Sequence, residues 1–199
     1  MRHSTGLPRG LDSASHDEAR EWASFWTQTR FIQAHRRFYA FDICPGYWDS
    51  LIWHQRHGNL CSIDRVADEL RRGDDELSRW AIESLGETAF MPTNDAETVA
   101  RYADLIIWVQ AQTQFLDYAK EQFAQVADGW LVAYAKRTAG TVVTLEEFDP
   151  NVRRRVPIPN VCRAFDVDFV TTFEMLRSLN IRLTWQPPPQ EDPLAGPVT

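Results

Sequence analysis

The chain has 199 residues, 44% of them hydrophobic, and a formal net charge of -7. That size and apolar content support one globular domain with a proper core, and nothing requires a second. The acidic balance argues against nucleic-acid binding over the whole surface, because phosphate affinity comes from Lys and Arg, and leaves room only for a local basic groove.

Taken in chain order, residues 1–21 mix Gly, Ser, Pro and alternating charges without apolar periodicity and read as a disordered tail ahead of a domain over 22–185. Pro45 suits a first helical turn and Gly58 a helix stop, with Trp48, Leu51, Ile52 and Trp53 as the inner face. A strand over Asn59–Ile63 and a helix over Asp64–Arg72, N-capped by Asp64, follow. Asp74–Leu85 reads as a short helix ended by Gly86, and Asn94–Gln112 as a longer amphipathic one that continues helical over 115–126. Asp128 caps a helix to Ala139, Gly140 closes it, and the β-branched run TVVT is a strand. Next come a loop with Pro150, Pro157 and Pro159, a strand around Asp168–Thr171, a helix Thr172–Leu179 and a terminal strand Ile181–Trp185. Residues 186–199 form a Pro-rich extended tail.

Strands separated by helices imply parallel pairing with right-handed crossovers, hence an α/β sandwich. No run of about 18 apolar residues occurs and the start of the chain has no apolar signal-peptide core, so a cytoplasmic protein without a membrane span is expected. Cys44, Cys61 and Cys162 form no CxxC pair and suggest neither a disulfide framework nor a zinc site.

Three acids stand where apolar segments begin or end: Glu69 near the start of its helix, Asp128 opening another, and Glu146 just past a buried-looking strand. In open parallel sheets the functional crevice lies beyond the carboxyl ends of the strands, where Glu146 falls and where helix starts bring Glu69 and Asp128 close. Magnesium or manganese takes oxygen ligands, keeps several waters and activates one of them towards a phosphate. Any one of these acids alone is better explained by capping and the helix dipole.

The stretches FYAFDICPGYWDSL, SIDRVADELRRGDDELSRWA, ADGWLVAYA, TVVTLEE and VPIPNVCRAF together resemble a family of PIN-like proteins, related to the VapC-type toxin ribonucleases. The resemblance covers about Phe31 to Leu183. It implies a three-layer sandwich with a central, mostly parallel sheet and a cluster of acids holding Mg²⁺ or Mn²⁺. It further implies an RNA substrate, an antitoxin partner and room for a homodimer. Carried over by position, Glu69 matches the family's helix acid, Asp128 the acid opening the later helix, and Glu146 the acid after the following strand.

One position departs. Relatives begin with a strand ending in Leu-Asp-x-Asn shortly before the Phe-Ile-x-Ala that is here Phe31–Ala34, which puts Thr27 at the Asp position and Thr29 at the Asn position. Phe25 to Thr29 must be encoded TTY TGG ACN CAR ACN, and codons begun one nucleotide earlier read Leu, Asp, one of Ser, Pro, Thr or Ala, then Asn or Asp. The expectation is an extra nucleotide near the Arg30 codon, with residues 1–30 translated out of frame.

Arg36 and Arg37, Arg71 and Arg72, and Arg153, Arg154 and Arg155 are the basic clusters, either contacts for an RNA backbone or solvated surface. His35, His54 and His57 match no zinc spacing and read as surface histidines, and Asp42 and Asp49 as helix caps before site members. Trp48, Trp80, Trp108 and Trp130 read as core or groove walls. Two functions follow: a metal-dependent ribonuclease weakened by the missing first-strand Asp, or a catalytically inactive module that binds RNA or protein.

Overall fold

In the computed structural model, which describes residues 24–26, 39–73 and 75–184, five strands form an all-parallel sheet in the order β3-β2-β1-β4-β5. They are β1 (Ser24–Trp26), β2 (Leu60–Ile63), β3 (Phe90–Met91), β4 (Thr141–Val143) and β5 (Phe169–Val170). The helices are α1 (Pro45–Arg56), α2 (Asp64–Arg72), α3 (Glu76–Trp80), α4 (Ala96–Ala111), α5 (Asp117–Gln125), α6 (Asp128–Thr138), α7 (Ile158–Ala164) and α8 (Thr172–Ser178). This is the expected α/β three-layer sandwich. The tails 1–21 and 186–199 and the residues Thr27, Thr29, His35, Arg36 and Arg37 lie outside the described residues.

The centre of the sheet is β1, whose Phe25 pairs with Cys61 of β2 on one side and Val142 of β4 on the other. Phe25 is buried and its ring meets Tyr134 of α6 edge-on at 5.3 Å. Val142 and Val143 are buried as well, as befits a strand covered on both faces. Leu131 to Ala135 are buried without interruption, so α6 is an interior helix, held against β4 and β1 on one flank and α4 on another.

Several local expectations need correction. Asp64 and Asp128 are the first residues of their helices, not the N-caps; Ile63 and Ala127 hold the cap positions without side-chain bonds. An acid in the first turn is favoured by the helix dipole without capping anything. The helix from Asp128 ends at Thr138 on a left-handed Ala139 (φ 51°), one residue ahead of Gly140. The expected Asp74–Leu85 helix is α3 running into a π-helical turn, Ala81–Leu85, stopped by Gly86 at φ 72°. Between α4 and α5 the chain leaves the helix, because Leu116 N–H donates to the Arg153 carbonyl (2.9 Å) and Gln114 Nε2 to that of Val152 (2.8 Å).

On α1, Trp53 is 53% exposed and stacks on His57, while His54 is buried, contrary to its reading as a surface group. Ile181 to Thr184 form no strand: Asn180 turns at φ 55° and Ile181 N–H returns to the Leu176 carbonyl (2.9 Å). Helix α7 was hidden in a Pro-rich stretch that reads as loop. Pro157 is its N-cap and Pro159 lies in its first turn, where proline's missing N–H has no helical partner to lose.

Candidate functional site

A crossover helix runs back against its strands, so helix starts and strand ends share one edge of a parallel sheet. The turn after β4 is set by Glu146 N–H donating to Thr144 Oγ1 (3.1 Å). Glu146 Oε2 then accepts from Ile158 N–H at the start of α7 (2.7 Å), and Oε1 from Arg155 Nη1 (3.1 Å). From α2, Glu69 reaches across so that its Oε1 accepts from Ala127 N–H (2.7 Å), the residue before Asp128. Glu69 lies in the second half of α2 rather than near its start, so it meets the α6 N-terminus sideways.

The three acids thus share the positive ends of two helices. Burial pushes the Asp128 carboxyl up to about 7, and the charges of Glu146 and then Glu69 push the same way. Burial also raises Glu69, opposed by its bond from Ala127 and by Arg72. At Asp128 burial is the largest of these causes, and the two neighbouring carboxylates add negative potential at the same position. Yet among the described residues no three Asp, Glu, His or Cys side chains converge closely enough to hold a metal ion. The three acids thus form no ready-made cage of carboxylates for a divalent cation.

The other anticipated residues divide. Arg153 and Arg154 are exposed beside the site loop, and Arg155 is the ion-pair partner of Glu146. Arg71 pairs with Asp68 on the surface of α2 (3.0 Å). Asp42 and Asp49 are exposed, and the N-cap of α1 is Cys44, without a side-chain cap bond, so neither acid has the capping role expected. Asn59 Nδ2 donates to His54 Nδ1 (3.1 Å), and burial lowers the basicity of His54, with His57 adding to the effect. Cys162 on α7 is buried, which pushes its thiol up to about 12 and leaves it no nucleophilic role near neutrality.

Sequence reasoning missed a stack beside the acids. The Trp130 ring lies on Tyr102 of α4 (centroids 3.7 Å, planes 12° apart), and the Arg65 guanidinium lies over Trp130 (3.7 Å). The available signal was spacing: Arg65 precedes Glu69 by one helical turn, and Trp130 follows Asp128 by two residues. Gly129 makes the stack possible, because a Cβ there would meet Tyr102 Cε2 and Phe123 Cε1, both at 3.1 Å. Gly129→Ala is expected to cost about 1–2 kcal/mol in urea unfolding, since two packed rings must give way.

These features define a parallel α/β protein with an acid-lined sheet edge. The chain belongs to the family described as domain of unknown function DUF4411, whose model matches residues 27–183. No curated protein and no solved structure matches it.

Proposed function

We propose that the protein is a divalent-metal-dependent endoribonuclease of the PIN type, acting in the cytoplasm as the toxin of a toxin–antitoxin pair. The observation that carries this reading is Asp128, a carboxyl held protonated to about pH 7 by burial and by Glu146 and Glu69, at the edge where strand ends meet helix starts. No helix among the described residues is long and apolar enough to cross a membrane. The PIN likeness described above supplies the substrate class and the antitoxin partner, and a homodimer is compatible with both.

When bound, a hydrated Mg²⁺ or Mn²⁺ ion would supply charge neutralisation at a phosphate and a more acidic water. The chain's own residues do the rest. Asp128 would anchor the ion once ionised, and Glu69, fixed by Ala127 N–H, would add negative charge from the α2 side. Glu146 holds the loop through Ile158 N–H, while Arg155 covers its other oxygen and Arg153 and Arg154 stand free for RNA phosphates.

A second reading, an inactive PIN-like module that binds RNA or protein through the same edge, is favoured by the helix-start bonds that Glu69 and Glu146 already make. Cleavage of labelled RNA with and without manganese separates the two. The nuclease reading expects manganese-dependent cleavage that Asp128→Asn lowers roughly 100-fold or more. Equal cutting by wild type and Asp128→Asn, or none by wild type and by the Thr27→Asp/Thr29→Asn chain, would sink it.

A further inference from the structure

Arg65 differs from the arginines that serve as surface ion pairs. Arg71, Arg101, Arg137 and Arg155 each have a carboxylate oxygen within 3.0–3.6 Å. Arg65 is exposed, and no carboxylate among the described residues lies within ion-pair distance of its guanidinium. Its natural helical partner is Glu69, four residues on, but Glu69 is turned to Ala127 N–H instead.

The group is nevertheless held by contacts on its face and at its edge. Its face is laid on Trp130, Trp130 is backed by Tyr102, and the Tyr102 hydroxyl donates to the Ala124 carbonyl (3.1 Å). Its edge is leashed by Nε donating to Thr93 Oγ1 (3.2 Å). Thr93 is itself buried and fixed by Asp64, through Thr93 Oγ1 (2.7 Å) and Thr93 N–H (3.0 Å). Face and rotation are both set, while Nη1 and Nη2 have no partner among the described residues. A planar fork ordered in advance loses little freedom when an anion arrives, and a fork of this shape matches phosphate oxygens two at a time.

We infer that Arg65 is the phosphate anchor of this edge, gripping the backbone of a single-stranded RNA beside Glu69 and Asp128. The anchor rests on the reading of the edge as an RNA site, whether or not the RNA is cut. It also answers a problem of charge: acids that welcome a cation repel a phosphodiester, and a fixed guanidinium at their flank offsets that repulsion where the strand must enter. Arg65 is a positioning residue and takes no part in proton transfer.

The test is fluorescence anisotropy of a short labelled single-stranded RNA with the full chain, in EDTA so that nothing is cleaved, across a potassium chloride series. Arg65→Ala is expected to weaken binding about tenfold and to lower the slope of log affinity against log salt by about 0.7, the share of one phosphate on a single strand. Arg65→Lys, which keeps the charge without the fork, should recover part of the affinity and the slope. Arg65→Ala binding within about twofold of wild type at an unchanged slope overturns the anchor. So does a loss of melting temperature with no change in slope, which marks a structural brace, and so does a wild type that binds no RNA, including one that takes up an acidic peptide instead. Slope loss together with absent manganese-dependent cleavage, by wild type and by the Thr27→Asp/Thr29→Asn chain alike, leaves the anchor standing and removes the nuclease. Cleavage whose KM ignores Arg65→Ala does the reverse.

Discussion

At about pH 8 and without metal, Asp128→Asn is expected to stabilise the fold by roughly 2–4 kcal/mol, and at about pH 4 to leave it nearly unchanged. The cause is the Asp128 carboxyl, pushed up to about 7 in the folded chain by burial and by Glu146 and Glu69. In the unfolded chain the same group titrates at about 4. Between those values the folded state binds more protons than the unfolded one, so stability falls as pH rises. The stabilisation from the protonated form is complete below about pH 4, is lost through about pH 7, and stays lost above it. Asparagine carries no proton to lose, so its curve should lack that decline. Because the acids interact, the transition belongs to the cluster, and Glu146→Gln should shift it downward without abolishing it. Urea unfolding in EDTA at several pH values reads this directly, and parallel curves for wild type and Asp128→Asn would refute it. Manganese binding to the ionised carboxylate would restore part of the loss at high pH in the wild type alone.

The same residues show how far sequence carries. The strand–helix alternation was legible because β2 and β4 are short apolar runs and α2 carries Val66, Ala67 and Leu70 on one face. The acids were legible because charged residues at the margins of apolar segments stand out, and their mutual electrostatic influence follows from the parallel order. What the acids bond to was not legible. Glu69 to Ala127 and Glu146 to Ile158 join residues far apart in the chain, and no local pattern announces them. Strand β3, with two residues, is too short for an alternation to show, and α7 is masked by prolines that are harmless only where a helix begins. Arg65 was passed over because an exposed arginine on an amphipathic helix looks like any other until Trp130 is found under it.

Replacing Thr27 by Asp and Thr29 by Asn should raise manganese-dependent kcat/KM on RNA by roughly 100-fold, the scale on which metal sites respond to a lost anionic partner. Both threonines lie outside the described residues, but β1 is described, and it is the central strand, in parallel register with β2 and β4. Trp26 pairs with Val143, three residues before Glu146. Thr27 follows Trp26 in sequence, and the family match begins at Thr27, immediately after this strand. We propose a displaced reading frame as the reason that the family match leaves out this central strand, although the match itself already takes in Thr27 to Arg30. The bases encoding Phe25 and Trp26, read one nucleotide earlier, give an apolar residue and then leucine, so either frame supplies a strand at this place in the sheet. Only the shifted frame supplies a carboxylate after it. A neutral threonine hydroxyl cannot replace that charge for a cation that takes hard oxygen anions. Resequencing the gene tests the cause and the double variant tests the consequence. A coding sequence without a spare base, together with a double variant no more active than the parent, would show that Thr27 and Thr29 are native and that Asp128, Glu69 and Glu146 are the whole acidic complement of the site.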